Sequence, residues 1–397
     1  MNPRTNPYAP GAGTLPPELA GRDEIIEKAA IALDRFRAGL PARSLLLVGL
    51  RGVGKTVLLT RIAQESEARG FVVVNIEAPE RRSLPALLIP PLRAALLKLD
   101  RMAAAGNLAK KALRALGGFV GAMKLKYGDI EFGVDLGDEP GTADSGDLEH
   151  DLIDIFLEVG RAAKEKDTAV VFFIDELQYV EEDQFASLIT ALHKCAHNQL
   201  PIALIGAGLP QLVGKAGRAK SYAERLFEYP EIGALKDVEA RRALVAPAQK
   251  EGVEFEEGAL VEILAQTKAY PYFIQEWGKH SWQCAKQSPI TKADAIAATD
   301  LAINELDASF FRVRFDRLTP SEKRYLCAMA QLGPGPHRSG DIAHLLNKVV
   351  TNVAPTRSSL IKKGMIYSPS HGDNSFTVPL FDAYMKRVMP DLPNNEP

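Results

Sequence analysis

The sequence predicts an α/β fold: a parallel sheet with helices on both faces, a helical lid, and a C-terminal winged helix-turn-helix domain. Three observations carry that expectation. The apolar run Leu45–Val48 leads through a glycine-rich loop, Gly49-Leu-Arg-Gly-Val-Gly-Lys-Thr56, into a helical pattern at Val57–Ala63. A second apolar run from Ala169 ends in two adjacent carboxylates, Asp175 and Glu176. Beyond residue 310 the alternation of strands and helices gives way to three short helices and a hairpin.

The 397 residues allow two or three domains. Apolar residues make up 46% and charged residues 25%, the balance of a globular chain with an ample core. A net charge of −2 excludes a global polycation, so contact with nucleic acid needs a local patch. Cys195, Cys284 and Cys327 match neither a zinc spacing nor a disulfide framework, which fits a reducing compartment. No signal pattern opens the chain and no apolar run is long enough to span a bilayer, so the expectation is a cytoplasmic protein without a membrane partner.

Taken in order, residues 1–18 are rich in Pro and Gly and predict an extended arm. A helix follows in which Ile25, Ala29, Leu33 and Phe36 share a face. The loop after Val48 has the G-x-x-x-x-G-K-[ST] pattern of a P-loop NTPase, with the strand before it and the helix after it that this pattern requires. Gly49, Gly52 and Gly54 allow a tight turn whose N–H groups face a phosphate, and the helix adds its positive end. Lys55 is placed to reach the β- and γ-phosphates and the Thr56 hydroxyl to hold Mg²⁺. Phe71–Glu77 predicts a buried strand. Residues 83–116 predict helix with a break at Pro90-Pro91. Met123–Tyr127 and Ile130–Leu136 alternate around Gly128-Asp129 and predict a β-hairpin within 122–136. Asp147 opens an amphipathic helix carrying Leu148, Leu152, Ile155, Phe156 and Val159 on one face.

Side chains alternate along a strand, so Asp175 and Glu176 can do different work at its exit. Asp175 suits the Mg²⁺ shell, and Glu176 suits orienting or deprotonating an attacking water. A helix over 183–196, a buried strand over 201–206 and helices over 237–250 and 256–286 complete this part. The last pair is interrupted at Tyr270-Pro271. His193 and His197 have the i, i+4 spacing of metal ligands but lack a third, and predict a structural role.

These motifs resemble the AAA+ ATPases, in particular the branch of origin-recognition initiators and STAND-type switches, over about residues 19–290. The resemblance implies ATP as the nucleotide, bound by Gly49, Gly52, Val53, Gly54, Lys55, Thr56 and Val57. Leu19-Ala-Gly-Arg-Asp-Glu24 is similar to the family's Gly-Arg-Glu element, which makes Arg22 a base-side contact. Ala269-Tyr-Pro271 is similar to its Gly-x-Pro lid motif, with Pro271 beside the nucleotide and Ala replacing the Gly. Glu224–Tyr229 resembles the segment bearing an arginine finger, which implies Arg225, and Arg218 second, as the residue offered to a neighbouring copy in an oligomer. Two departures stand out. Ala207-Gly208 occupies the place of a polar sensor, and the helix 272–287 has Lys279 but no Arg, which together imply slow hydrolysis. The implied organisation is an arm (1–18), a nucleotide-binding core (19–232, with an insertion at about 83–146), a lid (233–309) and a winged helix (310–390).

The tail, Phe311–Pro390, holds twelve basic and five acidic residues, a local charge of +7 that leaves about −9 on the rest. Thr319-Pro-Ser-Glu322 predicts a capped helix to residue 332, Ser339–Leu346 a second and Thr351–Lys363 a third, before strands at 365–368 and 375–378. For double-stranded DNA, the third helix would enter the major groove, with Asn352, Thr356, Arg357 and Ser359 near bases and Lys362 and Lys363 at phosphates. Arg338 and the His371–Asn374 turn would touch the backbone or minor groove. Winged helices also dock proteins, so two readings stay open: an ATPase whose nucleotide state controls DNA binding or assembly, and a protein-binding switch in signalling or defence.

Overall fold

The computed structural model describes residues 1–11, 13–102, 107–130 and 141–392. Strands β1 (Ser44–Val48), β2 (Val72–Glu77), β3 (Val170–Asp175), β4 (Ile202–Gly208) and β5 (Phe227–Glu228) form one parallel sheet in the order β2-β3-β4-β1-β5. Every residue of β1, β3 and β4 is buried, as continuous apolar runs in a doubly covered sheet require. The edge strand β2 alternates instead, with Val72, Val74 and Ile76 buried and Asn75 and Glu77 exposed.

Alternate residues of each strand serve opposite faces. Leu45, Leu47, Val171, Phe173 and Ile205 pack against α1 (Asp23–Arg37) and α2 (Lys55–Ala68). Leu46, Phe172, Ile174 and Leu204 meet α3 (Leu84–Asp100), α4 (Leu108–Lys126), α5 (Leu148–Glu165) and α6 (Glu182–His197), where Phe156 stacks on Phe172 at 4.8 Å. α7 (Gln211–Ala219) and the single turn α8 (Ala223–Leu226) lead into β5.

Two expectations for this region are corrected. Pro90 and Pro91 lie inside α3, which continues unbroken to Asp100. Each missing N–H costs about 3 kcal/mol in a helix, but Leu84, Leu88, Ile89, Leu92, Leu96 and Leu99 are all buried on both sides of the pair and hold the segment helical. The predicted hairpin fails at its first strand: Met123–Lys126 is the last turn of α4. Ala112, Ala115, Leu116, Phe119, Val120 and Met123 continue one helical face, while Leu125, expected on the covered side, is 94% exposed. The second predicted strand falls mostly on 131–140, outside the described residues.

A helical region follows: α9 (Asp237–Lys250), α10 (Glu257–Thr267), α11 (Pro271–Cys284) and α12 (Lys292–Leu306). The break between α10 and α11 falls at Tyr270-Pro271, where proline takes the first helical position. A π-helical turn, Asp307–Phe311, continues α12 into α13 (Arg312–Asp316). Then come α14 (Pro320–Gln331), opened by a reciprocal Thr319–Glu322 capping box, and β6 (His337–Arg338). α15 (Ser339–Leu345), α16 (Val350–Lys362), β7 (Ile366–Tyr367), β8 (Asp373–Phe376) and α17 (Phe381–Val388) complete the chain. β6, β8 and β7 form a small antiparallel sheet in that order, the arrangement of a winged helix. β6 and α17 were not predicted.

One apolar cluster runs from the helical region into this C-terminal part. Phe311 contacts Phe273 in α11 (6.4 Å between centroids) and both Phe381 and Tyr384 in α17 (5.8 and 5.2 Å). The N-terminal arm also docks here. Asn6 donates to Lys279 O (3.1 Å), the Trp282 indole N–H to Asn2 O (2.9 Å), and the buried Tyr8 hydroxyl to Leu244 O. Among the described residues no helix is long and apolar enough to cross a membrane.

Candidate functional site

Parallel strands deliver their carboxyl ends to one edge of the sheet, so the loops after β1, β3 and β4 converge there. The loop after β1 turns through Gly52 (φ 80°) and Gly54 (φ 85°), a left-handed path open to glycine. At Gly49 the constraint is space: an ideal Cβ would lie 2.1 Å from Ile232 O. α2 begins at Lys55 with Gly54 as its N-cap and no side-chain cap, which leaves its first N–H groups for an anion. The Lys55 ammonium donates to Gly49 O (3.0 Å) and Leu50 O (2.8 Å). Burial lowers its pKa to about 8, against the opposing pull of Glu176 and Asp175.

Across the cleft, Asp175 accepts from the Thr56 hydroxyl (Oδ2, 2.6 Å) and from the Glu176 N–H (Oδ1, 2.8 Å). Its own pKa is raised by burial. A hydroxyl and a carboxylate this close, beside an uncapped helix start and a buried lysine, fit the donor set of a magnesium triphosphate. Glu176 has a left-handed backbone (φ 53°, ψ 35°) and is not free. Its Oε1 lies 3.8 Å from Arg51 Nη1, and its Oε2 accepts from the Gln178 amide. Gln178 in turn accepts from Leu209 N (3.1 Å), and the missing Cβ of Gly208 leaves room for it: that atom would sit 2.8 Å from Gln178 Oε1. Gln178 thus stands where the sequence shows no polar sensor.

The cleft encloses about 490 Å³. Gly52, Val53, Gly54, Lys55, Thr56 and Val57 line it with Asp175 and Glu176, and so do Arg22 and Pro271. Gly49 does not face the cleft but fixes the loop from behind. Arg22 is 8% exposed and donates to Val53 O (3.2 Å) and Gly233 O (2.7 Å), tying the loop to the start of the helical region. Burial lowers its pKa, opposed by Glu239. Where the lid motif has Ala for Gly, Ala269 itself adopts φ 56°, following Lys268 at φ 50°, and the turn forms without glycine. It delivers Tyr272, whose N–H donates to Gly52 O (3.1 Å).

Several lining residues escaped the sequence reading. Arg51, inside the loop, donates to the Tyr179 hydroxyl (2.7 Å), and its backbone N–H donates to Thr377 O in the C-terminal part (2.9 Å). Arg314 on α13 lines the same cleft, stacked 4.0 Å over the Phe310 ring. Burial, with a contribution from Arg51, lowers its pKa to about 10. Ala9, Pro10, Gly11, Thr14 and Pro16 of the arm also line the cleft. Arg51 and Gln178 lie within the motif segments themselves, whereas Arg314 left no local signal.

Arg225 is exposed on α8, outside the cleft. It sits by the start of β5, paired with the first residue of β1 and so at the opposite end of the sheet from the loop. Arg218 is engaged with Glu182 (3.1 Å). On α16, Asn352 and Lys362 are exposed and Thr356 is half-buried. Arg357 instead donates to Asn374 Oδ1 (2.6 Å), Ser368 Oγ (2.9 Å) and Asp373 O (3.2 Å). Lys363 pairs with the buried Glu322 (2.7 Å), which also accepts from Ser359 (2.7 Å). Asn374, expected in a backbone-touching turn, is fully buried. The predicted DNA face is therefore partly committed to holding its own domain together.

His193 packs on Tyr222 (4.5 Å) and Cys195 is buried. Among the described residues the grouping with metal-ligand spacing is Glu276, His280 and Glu305. Lys279 already supplies the cation there, 2.6 Å from Glu305 and 3.5 Å from Glu276.

Comparison with known proteins agrees with this geometry. Residues 18–205 match the AAA ATPase domain family, and residues 308–385 match a domain of unknown function, DUF8462. No curated protein matches the sequence. The Walker-type ATPase PABY2304 of Pyrococcus abyssi shares the fold, with a TM-score of 0.58 at 15% identity over 93% of this chain and 96% of that one. The RuvB Holliday junction branch migration motor of Thermotoga maritima scores 0.44 at 14% identity (94% and 99% covered). The ORC1 protein of Aeropyrum pernix, in complex with DNA, scores 0.44 at 13% identity (94% of each). Neither of these last two is close enough to bear on function. Strand order, loop, acidic pair and family match converge: residues 18–205 of this chain are an AAA ATPase domain.

Proposed function

We propose that the chain is a slow, Mg²⁺-dependent ATP hydrolase that works as a switch, its nucleotide state setting how the helical region and winged helix sit against the ATPase core. The observation that carries this is the position of Glu176 between Arg51 and Gln178, with Arg51 in turn joined to Thr377 of the winged-helix part. Lys55 and the N–H groups of the loop hold the β- and γ-phosphates. Thr56 and Asp175 hold the metal, which when bound neutralises phosphoryl charge. Glu176 orients and deprotonates water once it leaves Arg51 and Gln178. Arg22 keeps the loop on the helical region beside the base, and Pro271 starts the helix that closes over it. Arg225 serves a neighbouring copy if the protein assembles.

The committed donors of Arg357 and Lys363 favour a protein as the target of the winged helix. Duplex DNA is the second reading, supported by exposed Lys348 and Asn352 at the start of α16 and exposed Lys362 at its end. ATP turnover with and without duplex DNA, at low and moderate salt, tests both, with Glu176→Gln as the blank. Turnover that needs Glu176 and ignores DNA supports the protein switch. Stimulation by DNA that Lys348→Ala with Lys362→Ala removes supports the DNA reading. Turnover unchanged in Glu176→Gln would sink the catalytic assignment.

A further inference from the structure

The phosphate-loop end of the cleft gathers three cations, Lys55, Arg51 and Arg314, beside three carboxylates, Glu77, Asp175 and Glu176. Lys55 and Arg51 come from the glycine-rich loop, and Arg314 comes from α13, beyond the helical region and within residues 308–385. Arg51 is engaged with Tyr179 and faces Glu176. Arg314 donates from Nη1 to Phe310 O, one turn back on its own helix. Among the described residues no carboxylate lies within ion-pair distance of it.

Its position picks out one end of the cleft. Arg314 shares with Arg51, Glu176 and Tyr179 the adjoining hollow that opens beside Glu77 and Arg317. The arm and Leu235 also line the cleft, the arm coming near Thr56 at Gly13. The guanidinium therefore lies next to the carboxylate that would face the attacking water, which is where a terminal phosphate must sit. The guanidinium carbon lies over the Phe310 ring, itself stacked on Tyr272 at 4.7 Å, which fixes the head group; Nη1 is held by Phe310 O, and among the described residues Nη2 has no hydrogen-bond partner.

We infer that Arg314 binds the terminal phosphate of the bound nucleoside triphosphate from within the same chain, so that the helix carrying the winged-helix part reads whether that phosphate is present. This rests on the nucleotide reading of the cleft proposed above. α13 continues a helical stretch from α12 through the π-helical turn 307–311, and Arg317, one turn further, pairs with Glu80 of the ATPase core (2.8 Å). Loss of the phosphate removes the partner of Arg314 while Arg317 stays in place, which allows a change at that turn without unfolding the core.

The test is calorimetric titration of the full chain with ADP and with adenosine 5′-(β,γ-imido)triphosphate, each with Mg²⁺. It compares wild type, Arg314→Ala and Arg314→Met, the last keeping the length of the side chain beside Phe310 without its charge. The expected result is a loss of about tenfold or more in triphosphate affinity, the size of one hydrogen bond to a charged group, with ADP affinity changed less than about twofold. Should the neutral variants not melt cooperatively, Arg314→Lys replaces them, and a loss confined to the triphosphate is again expected. Equal losses for both nucleotides, or none for either, overturn the inference alone. If wild type binds neither nucleotide, or Lys55→Ala leaves binding untouched, the nucleotide reading and this inference fall together.

Discussion

Two glycines of the phosphate loop separate two physical reasons for being glycine. At Gly49 the backbone is not left-handed, but an added Cβ would meet Ile232 O at 2.1 Å. That carbonyl would have to retreat by about 1 Å to reach a tolerable contact of roughly 3 Å. It cannot do so alone, because Ile232 N–H donates to Val48 O at 2.7 Å and Val48 N–H to Pro230 O at 3.0 Å. Weakening one buried backbone hydrogen bond costs about 1–3 kcal/mol, and residual overpacking adds about as much. Gly49→Ala should therefore destabilise by about 2–6 kcal/mol. At Gly54 nothing lies within 4 Å of an added Cβ, but φ is 85°, so Gly54→Ala carries only the left-handed cost of about 1–2 kcal/mol. Urea unfolding of both variants, followed by circular dichroism without nucleotide, gives the ranking. If Gly54→Ala proves the more damaging, the close approach of Ile232 does not govern the loop and the steric reasoning is refuted.

Glu322 is nearly buried, and burial alone would raise its pKa. Lys363, Thr319 N–H and Ser359 outweigh that and hold it below the usual 4.5. A depressed carboxylate contributes stability that is complete above the unfolded value and fades as pH falls through the folded one. Glu322→Gln should thus cost about 2 kcal/mol at neutral pH, with the gap to wild type closing below about pH 4.5; a gap independent of pH would deny the charge its role. Ala269→Gly relieves a left-handed alanine worth about 1–2 kcal/mol, less the extra chain entropy of glycine, about 0.5–1 kcal/mol. A net stabilisation near 0.5 kcal/mol in the urea midpoint is expected, and a loss would mean that the Ala269 methyl contributes packing.

What the sequence made legible was local in origin. Strand, loop and helix around Gly49–Thr56 follow one another, the carboxylates of Asp175 and Glu176 end a continuous apolar run, and the box Thr319–Glu322 is written in four residues. What it hid depends on distant partners or on competing periods. Alternation over Met123–Tyr127 is too short to outweigh the helical face that begins at Ala112. Pro90-Pro91 breaks a helix only when burial around it is weaker than the lost bonds. β6 has two residues and exists only because β8 is there to pair with it. Arg51 and Gln178 were visible as letters, but their hold on Glu176 comes from three loops meeting. Arg314 belongs to the site because the chain returns to it after the whole helical region has folded.

The placement of the nucleotide cleft explains how a small ligand could command a large part of the chain. Helical region and winged helix share one apolar cluster through Phe273, Phe311, Phe381 and Tyr384, and close-packed clusters of this kind do not rearrange cheaply. Their contacts with the ATPase core around the cleft include four polar ones, Arg22 to Gly233 O, Tyr272 N–H to Gly52 O, Arg51 N–H to Thr377 O and Arg317 to Glu80, beside apolar packing of Tyr270 and Ala20. Each such bond contributes about 1 kcal/mol net, so the polar part of the seam holds by a few kcal/mol. That is the scale on which a ligand shifts a two-state equilibrium, provided it favours one state through contacts absent from the other. A terminal phosphate that draws on Lys55, Arg51 and Arg314 together touches both sides of the seam at once. On the proposed reading, its loss weakens the seam while leaving both apolar clusters intact, and the joined helical and winged-helix parts can then turn as one body.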